Sequence, residues 1–160
     1  MGVSVYIQTL YFIFAEDNMK RTILREHVFR ILFRYDFFDL NDFNEQKTLY
    51  FDEYPDLSDY PEIKECPVIS EMDRAEIDVR INDVVSHIDE IDNMIIEKCT
   101  GWKLERIAKA ELAIIRLAAY EIYFDPQVDK AVAINEAVEL AKKYGDEKAP
   151  SFVNGVLSKL

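Results

Sequence analysis

Residues that make turns are scarce in this chain. Only 4 glycines and 5 prolines occur in 160 residues, too few for the many tight turns of an all-β architecture. Cysteine is nearly absent too. Cys66 and Cys99 lie 33 residues apart and form no CxxC, so neither a disulfide scaffold nor a zinc ribbon is indicated, and two reduced thiols in a cytoplasmic protein are expected. The 2 histidines, His27 and His87, stand apart from any ligand-like spacing of Cys, Asp or Glu, which argues against a metal site. There is no glycine-rich phosphate loop, no nucleophile elbow and no HExxH. Nothing therefore calls for a cofactor or for catalysis.

What is present is apolar and charged in the proportions of a folded domain: 49% hydrophobic and 31% charged residues, too apolar for a disordered chain. The net charge is -12, but it is unevenly spread. Lys20, Arg21, Arg25, Arg30 and Arg34 face a single acid, Glu26, within residues 20–34. Residues 36–92 carry 18 acids against 4 bases, and the remainder from Glu97 is balanced at 10 against 10. Binding to a polyanion depends on the local field, so the early basic strip is a candidate RNA contact in a chain otherwise too acidic to hold nucleic acid unspecifically.

The first eighteen residues stand apart. Val3–Ala15 (VSVYIQTLYFIFA) is apolar and aromatic without the basic start of a signal peptide. It is also shorter than the ~20 residues of a membrane helix. The functional unit is expected to begin at Met19, with residues 1–18 as upstream sequence. The alternative is a real extension packed on the surface.

Beyond Met19 the periodicity is helical. Leu24, Val28, Ile31, Leu32, Tyr35 and Phe38 form one stripe, with Thr22 as the expected N-cap. Phe29, Phe33 and Phe37 form a second apolar row, so this helix is expected to be covered on two faces, leaving the basic side chains free to reach solvent. A short helix is expected over 43–52. Residues 53–69, with three prolines and many acids, read as a linker. Ser70 with Asp73 signals a helix start, and the pattern runs through His87 to Cys99 with a kink near Asp89. Thr100-Gly101 is a break, and Trp102 reads as a hydrophobe covering a hinge. Leu104–Phe124 reads as one central helix, ended by Asp125-Pro126. Val132–Tyr144 follows with Gly145 at its end, and a last helix starts near Pro150. The expected class is all-α, with short connections favouring antiparallel packing.

Three stretches carry a resemblance: IRLAAYE at Ile115–Glu121, VAINEAVELAK at Val132–Lys142 and FVNGVL at Phe152–Leu157. Their order and spacing, with LREHVFRILF at Leu24–Phe33, resemble the NusB family and the related N-terminal domain of some ribosomal-RNA cytosine methyltransferases. The resemblance covers residues 20–160. It implies two packed small helical bundles, an N-terminal lobe of about 19–69 and a C-terminal lobe of about 70–160. It also implies a nonenzymatic role in the antitermination complex of RNA polymerase, binding boxA RNA together with the ribosomal protein NusE. RNA contact is carried onto Lys20, Arg21 and Arg25, although Thr22, Ile23 and Leu24 stand where many relatives have arginines. Arg106 and Phe152 form a second candidate RNA surface, although Phe152 also reads as a core aromatic covering Val153 and Val156. Glu105 and Glu111 are the candidate NusE contacts. Asn135 and Glu136 read as capping chemistry. Gly155, inside a helix, costs about 1 kcal/mol against Ala and suggests the close approach of another helix or of an RNA backbone. The rival readings are an RNA-methylation helper and a dimerisation module whose self-association hides the RNA face.

Overall fold

The computed structural model describes residues 19–52, 69–99, 101 and 103–160. The apolar leader, most of the linker, Cys66, Thr100 and Trp102 lie outside the described residues. Those described form seven α-helices and two 3-10 turns, with no strand among them. Helix α1 spans Arg21–Arg34, a 3-10 turn Tyr35–Phe37, α2 Leu40–Asp52, α3 Glu71–Ser86 and α4 Ile88–Lys98. A second 3-10 turn spans Leu104–Arg106, followed by α5 Lys109–Phe124, α6 Lys130–Tyr144 and α7 Ala149–Leu157.

The expected elements are present with shifted boundaries. Helix α1 starts at Arg21, with Lys20 rather than Thr22 in the cap position and no side-chain cap. Ser70 caps α3 as its spacing indicated, its hydroxyl accepting from the Asp73 N–H at 3.1 Å. The kink falls at His87, between α3 and α4. The single helix expected over 104–124 is instead a 3-10 turn and an α-helix, because Ile107 takes an extended conformation and Ala108 a non-helical one between them. Gly101 has φ +93, a left-handed conformation that favours glycine and breaks the chain after α4. Gly145 ends α6 for a different reason. A Cβ there would stand 2.2 Å from the Ala149 Cβ, so glycine lets α7 turn closely back on α6.

Helix α5 is the axis of the molecule. Every residue from Leu112 to Glu121 is buried, because α1, α4, α6 and α7 all pack around it. Helices α5, α6 and α7 form one tight set, while α1 packs on α2, α3 and α5. A single core runs through both sets, from Leu24, Val28, Ile31 and Leu32 to Ile115, Ala141 and Leu157. Two charged side chains inside the buried stretch of α5 link it to its neighbours. Arg116 donates to both oxygens of Asp92 on α4, at 2.8 and 2.7 Å, and to Asp36 after α1 at 3.0 Å. Glu121 accepts from the Arg25 Nε on α1, at 2.9 and 3.0 Å. Burying such charges is tolerable only when each is paired and hydrogen-bonded. No described helix is long and apolar enough to cross a membrane.

Candidate nucleic-acid interface

Lys20 and Arg21 stand exposed at the start of α1. The first turn of that helix contains no acid, so the positive end of the helix dipole and two cations point the same way, as an anion requires. The Arg21 guanidinium reaches the Gln127 side chain at 3.4 Å, which sets this corner of α1 against the turn that follows α5.

The rest of the basic strip is not free as expected. Arg25, assigned above to RNA, is only 6% exposed. Besides Glu121 it binds Glu136 of α6 at 2.9 Å, so its charge is consumed inside the protein and it is withdrawn from the phosphate-contacting set. Glu136 is correspondingly an ion-pair partner of α1 rather than a capping residue. Arg30 donates to Glu26 at 2.7 Å and to the Tyr144 hydroxyl at 2.8 Å. Glu26 also takes Lys143 at 2.7 Å and the Tyr144 hydroxyl. Burial works to raise the Glu26 carboxyl, but Lys143, Tyr144 and Arg30 reverse the effect and hold it below the usual range. Arg34 reaches the Gln46 carbonyl at 3.3 Å and lies over the Tyr50 ring.

The second candidate surface surrounds the start of α5. Glu105 and Arg106 are exposed on the 3-10 turn, and Lys109 lies 3.7 Å from Asp36 at the end of α1. Glu111 is half-buried in the first turn of α5. Burial raises its carboxyl above the ordinary value, and the nearby Asp146 adds to the rise. Phe152 is half-buried and packed against the core, so part of its ring remains at the surface near the start of α7. The two surfaces are well separated. Arg21 touches the turn just beyond α5, whereas Arg106 lies just before it, and a helix of this length spans about 24 Å.

One surface was misread from sequence. The second aromatic row of α1 was expected to be covered, yet only Phe29 is buried, against the Tyr144 ring at 4.8 Å. Phe33 and Phe37 remain 36% and 55% exposed, and Phe38, expected at the end of the first stripe, is 40% exposed. The Phe33 and Phe37 rings touch at 5.2 Å, making an aromatic surface beside Asp36, at the same end of the molecule as Glu111. Exposed apolar patches of this kind mark contacts with other molecules. The signal, an apolar row beyond the core stripe, was present in the sequence.

Comparison with known proteins points to one family for the chain. The NusB family model matches residues 22–160. The transcription antitermination protein NusB of Agathobacter rectalis is 45% identical over 141 residues, covering 88% of this chain and 98% of the relative. That of Lachnoclostridium phytofermentans is 42% identical over 142 residues, covering 89% and 98%. Among solved structures, NusB of T. maritima superposes with a TM-score of 0.69 at 25% identity, covering 89% of this chain and 90% of that one. Antitermination factors NusB and NusE in complex with double-stranded RNA give a TM-score of 0.66 at 29% identity, covering 86% of this chain and 92% of that one. With nearly all of its helical part matched in sequence and in fold, the chain belongs to the NusB family.

Proposed function

We propose that this protein is a cytoplasmic transcription antitermination factor that binds boxA-type RNA jointly with the ribosomal protein NusE and acts within the antitermination complex of RNA polymerase. Its work is binding, not catalysis. The observation that carries the reading is the start of α1. On a chain of net charge -12, Lys20 and Arg21 are exposed at an acid-free helix N-terminus. Arg106 and the exposed part of Phe152 form a second contact, the one meeting phosphate and the other stacking on a base. Glu105 and Glu111 serve NusE, and the aromatic surface of Phe33 and Phe37 lies at the same end, where a protein partner would cover it.

Overall acidity weakens the RNA affinity of the protein alone, so the partner matters. The test measures binding of a labelled single-stranded boxA RNA with and without purified NusE. Tighter binding in the presence of NusE is expected. No binding in either condition sinks the proposal. The exposed phenylalanines also support a second reading, self-association through that face. Light scattering at working concentration separates them: a stable dimer that NusE cannot dissociate favours the second.

A further inference from the structure

Helix α3 carries apolar side chains on two opposite faces. Ile77, Ile81 and Val84 are buried, because that face packs on α1. Met72, Ala75 and Val79 follow one another at helical spacing on the other side, and all are exposed. Val79 and Met72, at 69% and 63%, are the most exposed large hydrophobic side chains among the described residues. Single exposed apolar residues are ordinary, whereas a stripe of them marks a contact. Beside this stripe an open groove of about 530 Å³ runs between α2 and α3, lined by Thr48 and Phe51 on one side and by Glu71, Arg74 and Ala75 on the other. Lys47 and Asp78 pair across it at 2.7 Å, and the Arg74 guanidinium lies over the Phe51 ring, 4.7 Å from its centroid. Ala75 belongs to both stripe and groove, so the two form one surface. None of the residues assigned above to RNA or to NusE lines it.

The charges around this surface define what it can accept. Of the charged side chains exposed on α2 and α3, Asp42, Glu45, Asp52, Glu71, Glu76 and Asp83 are acids, and Arg74 alone is a base. Such a field repels RNA, and it repels a second copy of a chain of net charge -12. The segments of this chain outside the described residues do not complement it either. Residues 1–18 hold no lysine or arginine, and residues 53–68 hold one, Lys64, against five acids. An apolar stripe and hollow between acidic rims fits a helix of the reverse character, apolar at every third or fourth position and basic on its flanks.

We propose that α2 and α3 form a docking groove for a basic amphipathic helix of a partner protein. Met72, Ala75 and Val79 supply the apolar contact, and the acidic rims orient the partner and exclude RNA. The inference concerns a separate face and does not depend on the RNA reading. The experiment titrates the isotope-labelled full chain with two synthetic peptides of equal length, followed by NMR of the backbone amides. Both peptides carry leucine at helical spacing, and one has lysine where the other has glutamate at the flanking positions. The lysine peptide should shift the amides of α2 and α3 and bind more weakly as salt rises, and the glutamate peptide should not bind. Met72→Gln/Val79→Gln should keep or raise Tm, because glutamine suits an exposed helix better than valine. It should weaken the lysine peptide about tenfold or more. Glu71→Gln/Glu76→Gln should weaken it about threefold or more at low salt and little at high salt. Both variants should bind boxA RNA with NusE as wild type does. Failure of wild type to bind RNA would sink the function reading alone, since the titration involves no RNA. The groove proposal is overturned if the lysine peptide does not bind, if the glutamate peptide binds equally, or if the shifts survive the Met72 and Val79 changes, which would mean unspecific charge attraction. Shifts of α3 on concentrating the chain alone would make the occupant a second copy. Loss of RNA binding by Met72→Gln/Val79→Gln at unchanged Tm would give the face to the RNA complex. Either result would also overturn it.

Discussion

Arg21 and Arg25 lie one turn apart on the same helix and occupy opposite environments. Arg21 opens α1 in solvent, with an amide as its hydrogen-bond partner. Arg25 is enclosed between two carboxylates from helices that follow it by about a hundred residues. The two have the same side chain in the same basic strip, but only the first can offer its charge to another molecule. The difference is set by what packs against each turn of α1, and it separates a binding residue from a structural one.

The comparison breaks most visibly at Arg25. Arg25→Ala leaves Glu121, 1% exposed, as a buried charge with only the more distant Arg80 at 3.8 Å. Losing one partner of a buried pair costs about 3–5 kcal/mol. Thermal or urea unfolding should show that loss. Any RNA defect should follow the unfolded fraction rather than the salt slope. An Arg25→Ala protein as stable as wild type would return this residue to the RNA face.

Leu32→Ala tests the apolar side of the same helix. Leu32 is 1% exposed in the core, and truncation of such a site costs about 2–5 kcal/mol. Because Leu32 is enclosed in the core and offers no charge to either candidate surface, RNA affinity of the folded fraction should be unchanged. A change in affinity at unchanged stability would show that α1 reports its packing to the RNA site.

His27 sharpens the comparison through pH. It is buried, with Nδ1 2.6 Å from the Tyr50 hydroxyl. Burial lowers its pKa, with the Arg30 charge adding to the effect. Because the folded value lies below the unfolded one, the neutral ring's contribution is fully present above about pH 6.5. It is lost as pH falls through the folded value. Unfolding curves taken from pH 7 down to 5 should show falling stability, and His27→Gln should flatten that decline. An equal decline in the variant would place the titrating group elsewhere.

How much of this was legible in the sequence differs by residue. The helices and their order follow from local spacing, and the Ser70 cap follows from a side chain and an N–H three residues apart. The fate of Arg25 is not local. Nothing within ten residues of it reveals that Glu121 and Glu136 will converge there, and periodicity placed it only at the edge of a stripe. The resemblance was equally blind, because it carries a role from position to position without the packing around it. The covered second row failed similarly. Phe29 found the Tyr144 ring from a distant helix, while Phe33 and Phe37 found no such cover among the described residues. Gly155 was legible as a costly helix residue, but only the packing of the folded chain shows that the space beside it is open.

Arg21 is the converse of Arg25, with a smaller expected effect. Arg21→Ala removes an exposed side chain and one long hydrogen bond, so stability should move by no more than about 0.5 kcal/mol. If the guanidinium contacts a phosphate, the slope of log affinity against log salt on single-stranded RNA should shrink by about 0.7. Lys20→Ala should do the same, and the double variant should roughly double the change. The measurement belongs on the complex with NusE. A folded double variant that still pairs with NusE, and whose affinity and slope are unchanged, would move the RNA face away from α1.

The smallest effect is expected from removing residues 1–18, which we propose to be dispensable. The relatives from Agathobacter rectalis and Lachnoclostridium phytofermentans align over 141 and 142 residues while covering 98% of their own lengths, and the family match begins at residue 22. At the new terminus, the Met19 nitrogen already lies 3.1 Å from an Asp73 carboxylate oxygen. Asp73 is 3% exposed and also accepts from the Ser70 hydroxyl at 2.7 Å. Truncation to Met19 replaces the amide N–H there with an ammonium, which exchanges a neutral hydrogen bond for a charged one to the same oxygen. The Tm of the shortened protein should therefore be equal or slightly higher. Asp73→Asn should then lower the shortened protein's stability more than it lowers that of the full chain, since only the shortened form has a charge pair to lose. RNA affinity should be the same in both forms. A shortened protein that melts well below the full chain would show that the leader belongs to the core.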